Sequence, residues 1–201
     1  MVNHKSYIYI ICIALLSCLA ACKGKQPQQA KAPAKVVTVE KIPDFVETRG
    51  IIGDGSSMNL LQLIEFDGDT LDIIAANQMI MGGLIVGNEV DVIYSLIDGN
   101  LVAQTAVNLT ALQHLWSQHV GGGETKSLEI DSNGRAPTYN MSIEYDHWAV
   151  RDGVLLLSSP RKVGDEKPAD VDTFQIMMLT EDSLVLMANT ANMASAFYRD
   201  N

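Results

Sequence analysis

Short apolar stretches separated by glycine, aspartate and asparagine run through the chain from Phe45 onward. Alternation of apolar and polar residues over about four to eight positions is typical of half-buried β-strands. Asp67-Gly68 lies between MNLLQLIEF and DTLDIIA and predicts a type I′ hairpin turn, in which both central residues need positive φ. Helical periodicity is scarce, and only residues 110–119 (TALQHLWSQH) predict a short helix. The pattern therefore predicts an all-β protein built from antiparallel strands.

The strand patterns fall into two groups, the first of which covers residues 44–112. Beyond the hairpin at Asp67-Gly68, GGLIVGNEVDVIYSL places Gly87-Asn88 between two further strands, and a turn at residues 98–100 leads into LVAQTAVNLT. Five strands in so short a segment suit a small closed or nearly closed barrel, because closure leaves few exposed edges. GNEVDVIY also resembles a strand of the OB-fold. We therefore expect residues 44–112 to form a small OB-like β-barrel.

The second group covers residues 113–201 and contains turns at residues 132–134 and at Asp152-Gly153. PTYNMSIEYDHWAV predicts one long strand, in which the apolar residues from Tyr139 to Tyr145 share one face. The alternation fails at His147-Trp148, where we expect a β-bulge. Further strands follow in VLLLSS, DTFQIMML, SLVLMA and ASAFYR. This group predicts a second antiparallel β domain.

The N-terminus has the organisation of an export signal. His4 and Lys5 precede an uncharged apolar run at residues 7–21, which is shorter than the roughly 20 residues that span a bilayer. Leu19-Ala20-Ala21-Cys22 resembles the lipobox of bacterial lipoproteins at all four positions. That resemblance implies cleavage after residue 21 and attachment of diacylglycerol and a further acyl chain to Cys22. We therefore expect residues 1–21 to be a lipoprotein signal peptide.

Residues 22–43 are predicted to form a lipidated, disordered tether. Lys23–Lys35 contain Gln, Pro, Ala and Lys but no acidic or aromatic residue, so they cannot bury enough apolar surface to fold. The residue after the lipidated cysteine is Lys23. An aspartate at that position would retain a lipoprotein in the inner membrane. By analogy with these sorting rules, we expect a cell-envelope protein in the outer membrane, facing the periplasm.

Charge and cysteine content narrow the possible functions. The formal net charge of −10 disfavours binding to a nucleic acid backbone, so no nucleic acid partner is expected. The three cysteines, Cys12, Cys18 and Cys22, all lie in the predicted signal peptide or at its end. The mature fold is therefore expected to contain no disulfide, no thiol catalysis and no cysteine metal site.

Several elements of the second group follow one another in a characteristic order. They are Asn140-Met141 after a turn, Tyr145 with Trp148, Leu155 with Leu157, and the run from Asp172 to Leu186. In order and spacing they resemble the lipocalin-like domain of small Gram-negative bacterial lipoproteins of unknown function. The resemblance covers residues 113–201 and implies a lipocalin-like β domain without a known activity. It weakens at HVGGGETKS, where the family usually has an aromatic residue at the start of a strand.

Three polar patterns contain residues that could carry chemistry, but each lacks a feature that the chemistry needs. Residues 53–57 (GDGSS) lack the context of a phosphate-binding loop and predict a turn. The Asp67, Asp69 and Asp72 cluster does not have the spacing of an EF-hand loop. The histidines of the mature chain lack the converging partners that zinc needs. These histidines are His114, His119 and His147. No catalytic residue, metal or cofactor is therefore predicted.

Aromatic residues and methionine in the second group allow two interpretations. Rings of this size most often fill the core of a small β domain, but they could also line a ligand cavity. The candidate lining residues are Trp116, Tyr139, Met141, Tyr145, Trp148 and Phe174.

The resulting functional hypothesis is a non-catalytic binding module for a small apolar or amphiphilic molecule, held to a membrane through Cys22. One alternative is a rigid platform for another envelope protein, favoured if the Met-containing segments NQMIMGGLIV and NTANMASAF are exposed. Another is an envelope-stress sensor resembling NlpE-type lipoproteins. Those pair the two domain types in the reverse order and carry a C-x-x-C motif that is missing here.

Overall fold

Fourteen strands and one short helix make up the regular structure of the described residues, which are 44–76, 79–161, 168–190 and 193–199 in this computed structural model. The predicted signal peptide, the tether and Cys22 lie outside these residues. The nearly all-β architecture confirms the predicted fold class.

The first sheet contains six strands and wraps into a closed barrel. Its order is β3-β2-β1-β5-β6-β4, and β3 closes the barrel by pairing in parallel with β6 at Ile74 and Val102. The short β4 is outside this ring and pairs with β6. The five-stranded closed barrel is the one expected for this segment. Its strands are β1 (Phe45–Ile52), β2 (Leu60–Glu65), β3 (Thr70–Ile74), β4 (Ile80–Met81), β5 (Glu89–Ile97) and β6 (Asn100–Asn108).

Apolar side chains from every strand of the ring meet inside the barrel. The period-two burial along β2, where Leu61 and Leu63 are fully buried between more exposed neighbours, follows from the alternation of side chains across a strand. The burial of these residues and of Val90 and Val92 from β5 gives the barrel a filled interior.

The hairpin turns differ in type. Asp98-Gly99 and Asp152-Gly153 have positive φ at both positions, as type I′ turns require. At Asp67-Gly68 only the glycine has positive φ, so the type I′ prediction is wrong there. Glu65 instead pairs with Asp69 across a three-residue loop, in which a type I turn is followed by a left-handed glycine.

The strand predicted in GGLIV does not form. Only Ile80–Met81 pair with the barrel, as β4, and the chain leaves the sheet at Gly82-Gly83. Both glycines have positive φ, which is incompatible with a continuing strand. The Gly82 amide donates instead to the carbonyl of Leu179 in the second sheet, at 3.0 Å.

The helix predicted at residues 110–119 is much shorter in the structure. Helix α1 (Leu109–Leu112) begins after Asn108, whose side chain accepts a hydrogen bond from the amide of Ala111. Strand β7 begins at Leu115, because pairing with two neighbouring strands satisfies its backbone and buries Trp116. Tertiary pairing therefore overrides the weak helical pattern of this segment.

The second sheet has eight strands in the order β10-β11-β12-β13-β14-β7-β8-β9 and is curled into a half-barrel. A bridge between Arg135 and His147 connects the segment after β8 to β10, so the two ends of the sheet meet. Its strands are β7 (Leu115–Val120), β8 (Glu124–Glu129), β9 (Thr138–Tyr139), β10 (His147–Arg151), β11 (Val154–Ser158), β12 (Val171–Leu179), β13 (Ser183–Ala188) and β14 (Ala194–Arg199).

The long strand predicted from Thr138 to Val150 is interrupted. β9 ends at Tyr139, and Asn140 has a φ of 55°, a left-handed conformation that turns the chain out of the strand. Regular pairing resumes only at His147, so the bulge expected at His147-Trp148 is replaced by a break over residues 140–146. The predicted common face therefore does not exist: Tyr139 is 48% exposed and Tyr145 is 5% exposed.

The barrel and the curled sheet are joined by polar contacts. Arg49 on β1 donates to Asp91 at 2.7 Å and to the carbonyl of Val150, while Glu47 accepts from the amide of Asp152. Asp91 is only 2% exposed, and this burial raises its pKa to about 6, although the hydrogen bond and charge of Arg49 oppose the rise. A buried carboxyl group and its cation are therefore part of this joint, beside the contacts of Glu47 and Gly82.

The turn between β10 and β11 is expected to be sensitive to added volume. A Cβ at Gly153 would lie 2.7 Å from Thr105 of the barrel, whereas one at Gly99, also with positive φ, would meet nothing within 4 Å. Gly99→Ala should cost about 1 kcal/mol from backbone strain alone, and Gly153→Ala about 1 kcal/mol more from the clash. Urea denaturation of both variants measures this, and equal losses would contradict a tight contact.

Arg49→Ala should lower the free energy of unfolding by about 3 kcal/mol at about pH 8, because it leaves a buried carboxylate without its cation. The loss should shrink towards pH 5, since Asp91, with a pKa of about 6, is then mostly neutral in the folded protein and needs the cation less. Chemical denaturation at both pH values measures the difference.

A control for Arg49→Ala is Arg135→Ala, which breaks a more exposed pair with Asp146. That change should cost about 1 kcal/mol or less. A loss at Arg49 that does not vary with pH would rule out Asp91 as the responsible group.

Candidate functional site

A cavity of about 250 Å³ opens between the curled sheet and the irregular segment at residues 140–146. Leu128, Leu157 and Phe197, all buried members of the core, form its inner wall. Five different strands supply its walls, because the curvature of the sheet brings their inner faces together. The full lining is Leu128, Met141, Ser142, Ile143, Tyr145, Leu157, Asp172, Thr173, Phe174, Leu186, Ala188, Thr190, Ser195 and Phe197.

Two other depressions are larger, at about 450 and 400 Å³. The first lies beside Met58, which is 68% exposed, and the second lies beside Thr110 and Glu181 at the surface. Among the described residues that line them, neither has a wall of fully buried apolar side chains like that beneath the 250 Å³ cavity. A site that binds by burial needs such a wall, so the smaller cavity is the better candidate.

One polar pair lies in the otherwise mainly apolar cavity. The Tyr145 hydroxyl donates to Oδ2 of Asp172 at 2.7 Å, and the Tyr145 ring contacts Phe174 edge to face at 6.3 Å. Burial raises the pKa of Tyr145, and the neighbouring Asp172 raises it further. Tyr145 is therefore a hydrogen-bond donor at neutral pH and not a base, and the pair fixes the position of an acceptor in the wall.

The outer wall comes from the segment that breaks the predicted strand. Met141 is half-buried and packs against the core, whereas Ile143 is 47% exposed. Hydrogen bonds hold the segment at both ends: the Asn140 side chain donates to the carbonyl of Thr125, and Thr138 Oγ1 accepts from the Tyr145 amide. The strand break thus creates the wall that a continuous strand would not provide.

Of the six predicted lining residues, three line the cavity and three lie elsewhere. Met141, Tyr145 and Phe174 line the cavity. Trp116 is fully buried in the core and donates to the carbonyl of Leu112. Tyr139 lies at the surface and donates to Glu129, and Trp148 packs against the core and donates to the carbonyl of Asp131. These last three lie outside the cavity lining.

Sequence reasoning missed the polar part of the lining. In the sequence Asp172 stands out only as the beginning of the run from Asp172 to Leu186, and Ser195 does not stand out. The available indication for Asp172 is that it is the only charged residue of its strand, VDTFQIMML. Nothing local in ASAFYR distinguishes Ser195 from a surface serine, because its role depends on the curvature of the sheet.

The remaining polar residues considered as sites make contacts within turns or with neighbouring side chains. Residues 53–57 form the connection between β1 and β2, and Asp67 accepts from the amide of Asp69 within its turn. His114 contacts Trp116 edge to face, and His147 pairs with Asp146 at 3.1 Å. His119 lies 3.0 Å from Thr125 Oγ1.

Within the part of the chain that the structure describes, no group of three or more His, Cys, Asp or Glu side chains could hold a metal ion. No helix in those same residues is long and apolar enough to cross a bilayer.

Comparison with known proteins identifies the second sheet. Residues 108–200 match the family model described as lipocalin-like. A lipocalin-like protein of known crystal structure from Bacteroides thetaiotaomicron is 26% identical, with a TM-score of 0.36, and the match covers 45% of this chain and 97% of that chain. No curated protein matched the sequence. Residues 108–200 are therefore a lipocalin-like domain, a generally non-enzymatic fold suited to binding small ligands.

Proposed function

We propose that the protein is a membrane-tethered envelope lipoprotein whose lipocalin-like domain binds a small apolar or amphiphilic molecule without catalysis. The observation that carries the proposal is the 250 Å³ cavity, which combines an apolar wall with one fixed polar pair. Binding sites for small molecules typically have this composition, because apolar burial supplies affinity and a few polar groups orient the ligand.

The volume of the cavity limits the ligand to a small molecule. An apolar cavity of about 150 Å³ accepts benzene, so 250 Å³ has room for a ring with a short substituent. A complete acyl chain of a membrane lipid does not fit in that volume. We therefore propose a compact ligand, or the compact end of a longer amphiphile whose remainder projects past the exposed Ile143.

The polar pair in the cavity favours binding over catalysis. General acid–base chemistry at neutral pH needs a group whose pKa is close to that pH. The pKa of Tyr145 is raised away from neutrality, so its hydroxyl holds its proton and supports Asp172 as a hydrogen-bond acceptor. This arrangement orients a bound molecule but does not move a proton.

The proposed location depends on the N-terminal sequence. Lipid chains on Cys22 would hold the protein at a membrane, since each buried methylene contributes about 0.8 kcal/mol and two or more chains give stable anchoring. The outer membrane, facing the periplasm, is the proposed site because Lys23 stands where a retention aspartate would be found. The tether would place the cavity in the aqueous space beside the membrane.

A platform for another envelope protein is the second candidate. A platform needs exposed apolar side chains in the two Met-containing segments. In the first segment Ile85 and Val86 are each 57% exposed, and in the second Met193 is 71% exposed. Met79 and Met81 of the first segment are half-buried, and Met81 packs against the core of the second sheet. Among the described residues of the first segment, only part is therefore available to a partner.

Ligand binding is tested by native mass spectrometry of the tagged full chain extracted from its own membrane. A reproducible added mass is expected on the unmodified protein. Ser195→Phe should abolish it, because the ring would occupy the cavity that Ser195 lines. Ala194→Phe is the matched control, since Ala194 is the exposed neighbour on the same strand. An added mass that persists in the Ser195 variant would place the bound molecule elsewhere.

Lipid attachment is tested by Cys22→Ser. The variant should move from the membrane fraction to the soluble fraction or remain unprocessed, and should not incorporate labelled palmitate. Cys18→Ser, which changes a cysteine inside the apolar run, should stay membrane-bound and labelled. Equal labelling of both variants would contradict anchoring at Cys22.

A further inference from the structure

The cavity has an unbalanced charge. Asp172 is the one charged residue among the described residues that line it, and no lysine, arginine or histidine is among them. The Tyr145 hydroxyl donates to Oδ2 of Asp172, which leaves Oδ1 able to accept a further hydrogen bond. Ser142, Thr190 and Ser195 supply hydroxyl groups that can either donate or accept.

We propose that the cavity selects ligands by charge: it accepts cationic or neutral molecules that carry a hydrogen-bond donor, such as an amine or alcohol on a small apolar skeleton, and rejects carboxylates. This inference rests on the proposed function and specifies its ligand class. It follows from Asp172, a carboxylate in an apolar wall without a cation beside it in the described lining.

Repulsion between like charges explains why the cavity rejects carboxylates. A ligand carboxylate in a cavity this small would lie close to Asp172 with little water between them, and two carboxylates in that position repel each other. An ammonium group supplies the missing counter-charge, and an alcohol supplies a donor to Oδ1 without a charge. Both ligands keep the apolar wall covered by their carbon skeleton.

Three probes of nearly equal size separate charge from shape: phenethylamine, phenethyl alcohol and phenylacetate at neutral pH. The protein is the full chain in phospholipid nanodiscs, labelled at its methionine methyl groups. Met141 lines the cavity, so the NMR shift of its methyl group reports binding at this site. The methyl group of Met58, which is 68% exposed on the barrel, reports non-specific effects.

Phenethylamine and phenethyl alcohol should shift the Met141 signal in a saturable manner, with phenylacetate at least about tenfold weaker than the amine. Asp172→Asn should bring the amine and the carboxylate to within about threefold of each other, because it removes the charge while retaining an oxygen that can accept from Tyr145. Ser195→Phe should suppress the Met141 response to all three probes.

Two results would overturn the inference in distinguishable ways. If phenylacetate binds the unmodified protein as tightly as the amine does, the charge selection is wrong while ligand binding in the cavity stands. If none of the probes moves the Met141 signal, the cavity does not take up compact ligands, and the proposed function fails together with the inference. The comparison of probes on the unmodified protein decides the matter even if the Asp172 variant misfolds.

Discussion

The architecture of the lipocalin-like domain depends on the seam where the two ends of its curled sheet meet. The Ala136 amide donates to the carbonyl of Asp146 at 2.8 Å, and the Trp148 amide donates to that of Gly134 at 3.0 Å. The indole N–H of Trp148 donates a further hydrogen bond to the carbonyl of Asp131. Without this seam the sheet would be open, and its apolar inner face would not be enclosed.

The seam also explains why the cavity lies where it does. The chain enters the 140–146 segment from β9 and leaves it into the seam at Asp146, so the segment is held at both ends while it spans the inner face. Tyr145, the last residue before the seam, is placed where its hydroxyl reaches Asp172 on β12. The geometry of the polar pair is therefore a consequence of how the sheet closes.

Features governed by neighbouring residues could be read from the sequence. The all-β class and the turns at Asp98-Gly99 and Asp152-Gly153 follow from alternation and from turn chemistry, which act over a few positions. The type of each turn does not, because the type I′ turn expected at Asp67-Gly68 did not form. The end of β4 at Gly82-Gly83 depends instead on a hydrogen bond to Leu179, about a hundred residues away in the chain. Local patterns do not contain that information.

The candidate site was only partly predictable for the same reason. Met141, Tyr145 and Phe174 stand out in the sequence as large side chains in the correct domain. The same criterion picks out Trp116 and Trp148, which pack in or against the core. The difference between a core ring and a lining ring is set by the left-handed conformation of Asn140 and by the curvature of the sheet. Asp172 and Tyr145 meet across 27 positions of sequence, a distance at which pairing cannot be inferred from one chain.

The backbone pairing that closes the barrel and joins the ends of the curled sheet affects how copies of the protein meet on a crowded membrane. A protein held on a membrane by lipid chains, as proposed here, is confined to two dimensions, so its copies meet far more often than they would in free solution. An open strand edge presents unpaired N–H and C=O groups that can join one copy to the next. In the described residues, β3 pairs with β6 to close the barrel ring, and the Arg135–His147 bridge covers part of the edge at β10. These pairings leave less backbone available for adding a strand from another copy of the protein. They therefore favour copies that stay separate from one another on a crowded membrane.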